Sequence, residues 1–470
     1  MAEHDFRDRV GTLGRVAYGL PSFGLAAVGI PLYVHLPKFY TDVVGVNVAT
    51  LGVLLVLSRV FDAITDPMIG LLSDRTRTRF GRRRPYIAGA AVPLAVCIYL
   101  LFTPPAGDPA TAAWWFALWA FLMYVFWTAV VVPYESLGAE LTSDYDERTA
   151  VLGVREAFLI AGTLAGAIVP ALVRAGVDQP PGDARERATF FWLASLYGPL
   201  MVASCWWCAA TLRERVPSRQ AHAPLLAGLR QTLGNRPFAI LLAAYTVSAF
   251  GGALPATLIF YYVEYVLRSD QGSLFLAIYF VVGFLFLPGW IVLARRFGKK
   301  PAWLASMAVN TGAFVGVFFL GPGQTLAYGF LVALSGIGFG ATLALPSAMQ
   351  ADVIDYDELL SGARREGQYV GLWSVAKKMA AAVGVGIALP VLDWSGYVPK
   401  TEQSPQVVLA LRTLYAGVPC LCNIVSFLIA FRYPIDRACH TEILRAISLR
   451  REGERVRDPL HPARLLGASA

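Results

Sequence analysis

Hydrophobic positions along the chain gather into long runs, and short polar loops separate one run from the next. Each run is long enough to cross a bilayer, for which about 20 apolar residues in a helix suffice. We count about twelve such spans, near residues 13–43, 47–73, 86–103, 112–141, 150–173, 189–212, 237–266, 273–294, 302–320, 325–351, 369–392 and 407–431. The pattern predicts an all-α membrane protein of about twelve transmembrane helices.

The polar segments divide these spans into two sets of six. Phe80-Gly-Arg-Arg-Arg-Pro85 follows span 2, and Phe297-Gly-Lys-Lys-Pro301 occupies the same place after span 8. Such a repeat is typical of transporters built from two halves with a site between them. We predict two six-helix bundles with a central cavity, and charged loops between spans such as 352–368. The expected domains are an N-terminal bundle over 1–212, a cytoplasmic middle loop over 213–236, a C-terminal bundle over 237–432 and a mobile cytoplasmic tail over 433–470.

Composition supports a polytopic membrane protein, since 56% of the 470 residues are hydrophobic and only 15% are charged. The net charge of +8 does not indicate nucleic-acid binding, because the basic residues cluster after spans 2, 6, 8 and 10 and in the tail. This distribution follows the positive-inside rule, so we expect both termini in the cytoplasm and the spans in the cell (inner) membrane. The polar start of the chain predicts no cleavable signal peptide.

Enzymatic chemistry finds no support in the sequence. The six cysteines lie mostly inside apolar runs, which favours free thiols, and Cys205 and Cys208 lack the βαβ context of a redox pair. Of the five histidines only His35 falls within a span, and no GxxxxGK[ST] loop for a nucleotide occurs. We therefore predict no catalytic residues, no cofactor and no primary pump.

Two carboxylates inside span 2 are the first candidate site. Asp62 and Asp66 are spaced i, i+4, so a helix places them on one face, one turn apart. Ionisable groups at that depth are expensive and usually mark an ion or substrate pathway. Two carboxylates with nearby hydroxyls suit Na⁺ or a shared proton. The alternative is a site near a helix end, where both merely pair with Arg59 and the helix ends before Pro67.

Lys378 lies about ten residues into span 11, which puts it near the membrane centre. We expect it to pair with Asp62 or Asp66 across the two halves and so to act as a coupling residue. The alternative is that its side chain extends to a membrane interface. Glu135 in span 4 and Arg155 in span 5 are expected to pair with each other, either as a gate or beside the substrate.

Several stretches resemble a known family. Gly70-Leu-Leu-Ser-Asp74-Arg75, running on to the arginines before Pro85, resembles the loop signature of the major facilitator superfamily. Asp62-Ala-Ile-Thr-Asp66-Pro67 resembles, more narrowly, the glycoside–pentoside–hexuronide:cation symporter family. The stretches that agree further are Tyr40-Thr-Asp-Val-Val-Gly45, Val132-Pro-Tyr-Glu-Ser-Leu-Gly-Ala-Glu-Leu141, Asp352-Val-Ile-Asp-Tyr-Asp-Glu-Leu359 and Arg364-Arg-Glu-Gly367. The resemblance touches both halves.

The resemblance implies a set of functional residues. It assigns the cation site, with Na⁺ at Asp62 and Asp66, to the N-terminal bundle and adds the hydroxyl of Thr128 and the position of Thr65. Sodium-using melibiose-type members have asparagine where Thr65 stands, which leaves Na⁺ and H⁺ both open. The resemblance also matches Lys378 in span 11 and Arg155 in span 5, and we expect these two, together with Arg59 in span 2, to act as coupling residues. The family default also implies a monomer.

The solute site departs from the melibiose-type pattern, which has one aspartate in span 1 and another in span 4. Span 1 has no carboxylate around Phe23, and none stands between Thr128 and Pro133. Aromatic rings suit the apolar face of a sugar, although most aromatics in membrane proteins pack or anchor. The residues we expect at the substrate are Phe23, Tyr124, Trp127, Glu135 and Trp373.

The basic loop after span 2 is expected to hold a closed state through helix ends and cross-loop pairs, with Asp74, Arg75 and Arg82 as the conformational gate. The leading function is a secondary symporter that couples Na⁺ or H⁺ to import of a glycoside. A less polar pocket keeps a lysolipid or another amphiphile as an alternative solute. A membrane sensor without transport is the alternative from another class, and the intact carboxylates and lysine argue against it.

Overall fold

The structure is a computed structural model and describes residues 10–142, 145–212, 214, 232–362 and 366–467. Within these residues, twelve helices are long and apolar enough to cross a membrane. They are α1 (Thr12–Val44), α2 (Val48–Arg75), α3 (Arg84–Phe102), α4 (Pro109–Glu140), α5 (Tyr145–Gly176), α6 (Asp183–Thr211), α7 (Arg236–Val266), α8 (Gly272–Phe297), α9 (Lys299–Phe318), α10 (Thr325–Ser361), α11 (Glu366–Trp394) and α12 (Pro405–Phe431). The predicted all-α membrane fold is confirmed. Most of the expected middle loop lies outside the described residues.

Short polar side chains set where several helices begin. A side-chain oxygen of each capping residue accepts a hydrogen bond from a backbone N–H in the first turn, which that turn otherwise leaves unpaired. These residues are Asn47 before α2, Asp108 before α4, Asn235 before α7 and Ser404 before α12. The helices therefore begin where the sequence changes from loop polarity to apolar runs.

The acidic stretch after span 10 is helical, so the predicted loop is wrong for residues 352–361. Asp352 is buried there because Lys299 Nζ lies 2.5 Å from its Oδ1 and His440 lies 3.4 Å from the same oxygen. Arg451 contacts Glu358 in the same way. These ion pairs offset the free-energy cost of burying carboxylates against the helical bundle. The partners come from other elements, so the hydrophobicity of the stretch itself does not predict them.

The tail also differs from the mobile segment that the sequence suggested. Helix α13 (Arg437–Arg451) and an antiparallel hairpin of β1 (Val456–Asp458) and β2 (His461–Leu466) pack against the end of α10. Arg450 donates to the Leu359 carbonyl at 2.5 Å, and Tyr356 donates to Asp458 at 3.0 Å. The hairpin is a small addition to an otherwise helical fold.

The helices form two halves, each with its own hydrophobic core. Buried side chains of α1 to α6 make one core, and those of α7 to α12 make most of two others. One of these two also includes Val34 and Val48 of the first half, and the other includes residues of α13 and the hairpin. The halves meet where α2 packs along α11 and α1 approaches α7. We call the side that carries loop 76–83 the basic side, and the other the opposite side. This arrangement brings the charged face of α2 to the interface between the halves.

A GxxxG pattern brings α1 and α5 into backbone contact. A Cβ added at Gly162 would lie 2.3 Å from the Phe23 carbonyl oxygen, and one at Gly166 would lie 2.7 Å from that of Ala27. Small residues at this spacing let helices approach closely in a membrane, where apolar burial alone does not favour helix association. The first half is therefore packed around α1 and α5 as a rigid unit.

A polar network, which we call the opposite-side seal, joins the halves at the end of α1. Asp42 is buried, and it accepts hydrogen bonds from Lys38 at 2.7 Å and from Tyr265 and Tyr397 at 2.9 Å each. Burial, and then the charge of Asp42, hold the pKa of Tyr397 far above its usual range, so this hydroxyl remains a neutral donor. Lys38 also lies 2.5 Å from Glu264 of α7. The seal closes the interface on this side.

We expect Gly162→Ala to destabilise the protein, because the new methyl group would overlap the backbone of α1. Overpacking of this kind costs about 1–3 kcal/mol, which should appear as a lower melting temperature in detergent. Gly153→Ala on the same helix is the matched control, since an added Cβ there meets nothing within 4 Å. Equal melting temperatures for the two variants would contradict the close approach of α1 and α5.

Candidate functional site

Helix α2 carries the centre of the site. It continues through Pro67 without ending, so Asp62 and Asp66 lie one turn apart on a single helical face. Only 2% of the Asp62 side chain is exposed, against 25% for Asp66. The alternative of a site at a helix end does not fit this geometry, because α2 runs on for two more turns to Arg75.

Lys378 on α11 bridges the two carboxylates from the other half of the molecule. Its Nζ lies 2.9 Å from Asp62 Oδ2 and also contacts Asp66 Oδ2. The ammonium therefore points across the interface rather than to a membrane surface. Such an ion pair between two halves is stable only while they stay close, because each charge loses its partner when they separate.

Thr128 on α4 completes the arrangement from the side. Its Oγ1 lies 3.0 Å from Asp62 Oδ1 and 3.0 Å from Asp66 Oδ1. A hydroxyl has one proton, so it donates to one carboxylate at a time and leaves the other oxygen free to accept a second donor or a cation. The Thr65 hydroxyl instead donates to the backbone carbonyl of Asp62 at 3.1 Å, so it does not contact the carboxylates.

Three oxygens thus converge on one region, from Asp62, Asp66 and Thr128. Hard cations such as Na⁺ prefer oxygen ligands of this kind, and a proton shared by two close carboxylates would satisfy the same geometry. Among the described residues, no cluster of three or more His, Cys, Asp or Glu side chains is suited to a metal ion. The three oxygens and the Lys378 ammonium thus lie within one polar cluster between the halves.

Arg59 occupies a different position from the one that the sequence suggested. Its guanidinium lies over two rings, 4.1 Å from the centroid of Tyr33 and 5.2 Å from that of Tyr124. Arg59 is therefore not the ion-pair partner of Asp62 and Asp66, because Lys378 makes that contact. Tyr33 was missed in the sequence, because nothing in the pattern of span 1 distinguishes it from a packing aromatic.

A cavity of about 240 Å³ opens beside Arg59, between the two halves. Both halves contribute to its wall, through α1, α2 and α4 on one side and α7 and α11 on the other. Its lining includes Tyr33, Arg59, Tyr124, Ala256, Thr257 and Val385. Among the described residues, Arg59 is therefore the one charged residue in this wall, and the other lining side chains are aromatic or aliphatic except for Thr257.

The other residues expected at the substrate are spread more widely. Trp127 makes an edge contact with Tyr33, with ring centroids 6.3 Å apart. Trp373 stacks on Tyr245 at 4.1 Å, and Tyr245 lines a second, aromatic cavity of about 310 Å³ in the second half. Phe23 lies where α1 meets Gly162 of α5. Of the five expected residues, Tyr124 lines the cavity beside Arg59.

Glu135 and Arg155 lie on the basic side of the carboxylates. Arg155 is 4.0 Å from Glu135 and contacts its neighbour Glu156 directly. The side chains of Glu135 and Glu156 are 60% and 51% exposed, so water screens these interactions. The group lies between the carboxylates of α2 and the basic side of the molecule.

The loop expected to act as a gate is held by a residue that sequence reasoning missed. Glu214 accepts hydrogen bonds from the backbone N–H groups of Arg82, Arg83 and Arg84 at 2.6–2.8 Å. Gly81 has a φ of +106°, and an added Cβ there would meet this carboxylate. Glu214 thus caps the N-terminus of α3. Arg75 ends α2 and is exposed, and the side chain of Asp74 lies outside the described residues.

Comparison with known proteins gives a family match over most of the chain. The family described as "MFS/sugar transport protein" matches residues 17–437. The chain is 29% identical to the glucuronide carrier protein homolog of Escherichia coli K12, over 88% of this chain and 91% of that protein. It is 27% identical to the isoprimeverose transporter of Lactiplantibacillus pentosus, over 90% and 88% of the two chains.

Solved structures agree on the fold. The crystal structure of a mutant of the nucleoside transporter NupG superposes with a TM-score of 0.67, covering 89% of this chain and 100% of that one. Its sequence is 13% identical, so this likeness concerns the helical arrangement and carries nothing about the solute.

We expect Thr128→Val to weaken cation binding, because it removes one of the three converging oxygens and keeps the volume of the side chain. Loss of one hydrogen bond to a charged group is worth about 1.5–3 kcal/mol, or roughly tenfold or more in affinity. The Na⁺ concentration that produces half of the rise in melting temperature should therefore increase. If the cation is H⁺, the pH at that midpoint should fall. Thr163→Val is the control, since that hydroxyl contacts only Leu159 O on its own helix. An unchanged midpoint in Thr128→Val would remove this hydroxyl from the site.

Proposed function

The chain belongs to the MFS/sugar transport protein family, and from this premise we propose that it is a secondary symporter in which Na⁺ or H⁺ drives the import of a glycoside by alternating access. Membership makes it a multi-pass membrane transporter and not an enzyme. The contact of Lys378 with both carboxylates of α2 carries the proposal, because it links the cation site to the interface between the halves.

The coupling follows from competition for the same carboxylates. Lys378 is bound to Asp62 and Asp66 while the site holds no added cation. A Na⁺ ion at these oxygens, or a proton on one of them, weakens the hold of the ammonium on α2. The differential affinity of the cation for the two arrangements then shifts the equilibrium between them. The halves are thereby free to rock, with the bundles over 1–212 and 237–432 as the moving units joined by the middle loop 213–236.

Two observations support a sugar derivative as the solute, namely the names of the relatives and the lining of the cavity. The relatives named above are a glucuronide carrier homolog and an isoprimeverose transporter, and both names describe sugar derivatives. The rings of Tyr33 and Tyr124 offer flat apolar faces of the kind that pack on the C–H face of a sugar. The aromatic cavity of about 310 Å³ in the second half favours an amphiphile such as a lysolipid as the second candidate.

The positive-inside distribution supports an orientation with the basic side in the cytoplasm, both termini and the tail over 433–470 included, in the cell membrane. The opposite-side seal then faces outward and is closed. A single chain supplies both halves together with the Lys378 and Thr128 contacts at Asp62, which supports a monomer as the transporting unit.

We expect Asp62→Asn and Asp66→Asn to abolish concentrative uptake into proteoliposomes under a Na⁺ or H⁺ gradient, because an amide carries no negative charge to bind the cation. Counterflow of the same solute should persist, since exchange needs no gradient. Asp108→Asn is the control, because Asp108 caps α4 far from the site. Accumulation like wild type in both site variants would disprove the cation site, and a wild-type protein without counterflow would favour a sensor.

Lys378→Ala should uncouple solute movement from the cation, because the link between the halves is lost. The expected result is loss of accumulation together with a cation-induced rise in melting temperature that persists. Lys377→Ala, the neighbouring exposed lysine on α11, should accumulate solute normally. If uptake by Lys378→Ala keeps the cation dependence of the wild type, this lysine plays no part in coupling.

A further inference from the structure

The second cavity, of about 310 Å³ in the second half, has no part in the coupling mechanism. Helices α7 to α10 and α12 form most of its wall, and Val34 of α1 contributes from the first half. None of the described residues that line it is charged, and six are aromatic: Tyr245, Tyr279, Phe280, Phe314, Phe339 and Tyr415. A cavity of about 150 Å³ in another protein is large enough for benzene. This one therefore has room for a benzene ring with a substituent.

The rings of this cavity meet one another at steep angles. Phe280 contacts Phe339 edge to face with ring centroids 5.5 Å apart, and Tyr279 contacts Phe280 in the same way at 5.4 Å. Aromatic groups gain from such contacts beyond the burial of apolar area, because the edge of one ring carries the charge that the face of another attracts. The wall therefore favours an aromatic ligand over an alkyl group of the same size.

Two buried amides give a second, independent indication of a ligand. Asn310 accepts a hydrogen bond from Ser335 at 2.7 Å, and Asn423 accepts one from Ser248 at 3.4 Å. None of the described residues accepts a hydrogen bond from either amide N–H group. Asn423 is only 7% exposed, and both asparagines line the cavity. A buried donor without an acceptor is costly, so this wall favours a ligand that carries an acceptor.

The second cavity adjoins the cavity beside Arg59. Ala256 of α7 lines both of them, and on α1 Tyr33 lines the first while its neighbour Val34 lines the second. A free sugar would occupy one of the two cavities. A solute of two parts joined by a single bond, such as a glycoside, fits the pair.

We propose that the second cavity binds the aglycone of the transported solute, and that this aglycone is an uncharged aromatic group with a hydrogen-bond acceptor. This inference rests on the proposed function and names the non-sugar part of its substrate. The sugar then lies beside Tyr33 and Tyr124, and the glycosidic bond passes Ala256. Since most of the wall of the second cavity belongs to one half, the aromatic group can stay bound while the halves move.

The test compares glycosides that share a sugar and differ in the aglycone. Methyl, cyclohexyl, phenyl and p-acetylphenyl β-D-glycosides are used, each with glucose, xylose and glucuronic acid. Affinity is read from the rise in melting temperature and from uptake into proteoliposomes under Na⁺ and H⁺ gradients. We expect the phenyl glycoside to bind about tenfold more tightly than the methyl glycoside, because its ring is removed from water. The p-acetylphenyl glycoside should bind more tightly still, and the cyclohexyl glycoside less tightly than the phenyl.

Other outcomes separate this inference from the one beneath it. Equal affinity and uptake of methyl and phenyl glycosides would leave the symporter standing and overturn the aglycone site. Cyclohexyl binding as tight as phenyl binding would overturn the aromatic class. Cation-driven uptake of lysophosphatidylcholine that phenyl glycosides inhibit would assign the cavity to an amphiphile instead. If no glycoside of the three sugars binds, the aryl glycoside is excluded, and counterflow of other sugars then decides whether the symporter itself holds.

Filling the cavity tests its role directly. Gly252 lines it, and an added Cβ there meets nothing within 4 Å, so Gly252→Leu takes up space in the cavity without overlapping the backbone. We expect the preference for phenyl over methyl glycoside to fall about tenfold. Gly312→Leu on α9 is the matched control, because an added Cβ there also meets nothing within 4 Å and Gly312 is not part of the lining. An unchanged preference in Gly252→Leu would overturn the site.

Asn423→Leu tests the amide separately and keeps a side chain of similar size. The advantage of the p-acetylphenyl over the phenyl glycoside should fall about threefold, because one of the two donors is lost. The preference for phenyl over methyl glycoside should remain. Equal loss of affinity for all glycosides would make Asn423 a structural residue and overturn its contact with the aglycone. If Gly252→Leu does not fold, this variant and the glycoside series on the unaltered protein still decide the proposal.

Discussion

One lysine holds the two halves of the molecule together at mid-membrane. Lys378 of α11 contacts Asp62 and Asp66 of α2, and Thr128 of α4 contacts both carboxylates from the side. Each of these charges would be costly alone in the bilayer, so each depends on groups carried by another helix. The geometry of the cation site is therefore inseparable from the relative position of the halves, which is the physical condition for coupling.

The rest of the fold divides into parts that must stay fixed and parts that must separate. Within the first half, the backbone contact of Gly162 with Phe23 allows little adjustment, because packed helices at this distance cannot slide without overlap. Between the halves, apolar contacts such as that of Val56 with Gly386 lie beside polar ones that can exchange partners, as in the seal around Asp42. Hydrogen bonds of this kind can be exchanged for water when the interface opens, at small net cost. We therefore expect the two halves to move relative to each other at their interface, rather than the helices within the first half.

Much of this arrangement could be predicted from the sequence, and the failures have physical reasons. Span positions follow from hydrophobicity, and the i, i+4 spacing of Asp62 and Asp66 follows from helix geometry, so both were accessible. The helical stretch 352–361 was not, because its carboxylates are compensated by Lys299, His440 and Arg451 from other elements. Two further features also depend on contacts between elements, the cap that Glu214 provides and the rings around Arg59. The hydrophobic period of a single helix carries no information about such contacts.

The stretches of spans 1 and 4 that lack carboxylates, around Phe23 and between Thr128 and Pro133, are not part of the wall of the cavity beside Arg59. The family resemblance implies that melibiose-type members bind sugar with an aspartate in each of these two spans. The wall around Arg59 is formed by other residues of the same two helices, among them Tyr33 of α1 and Tyr124 of α4, whose rings lie under the guanidinium. A melibiose-like mode of binding, with two aspartates on the sugar, therefore does not fit this chain, and we expect the solute to contact the aromatic rings where both halves line the cavity.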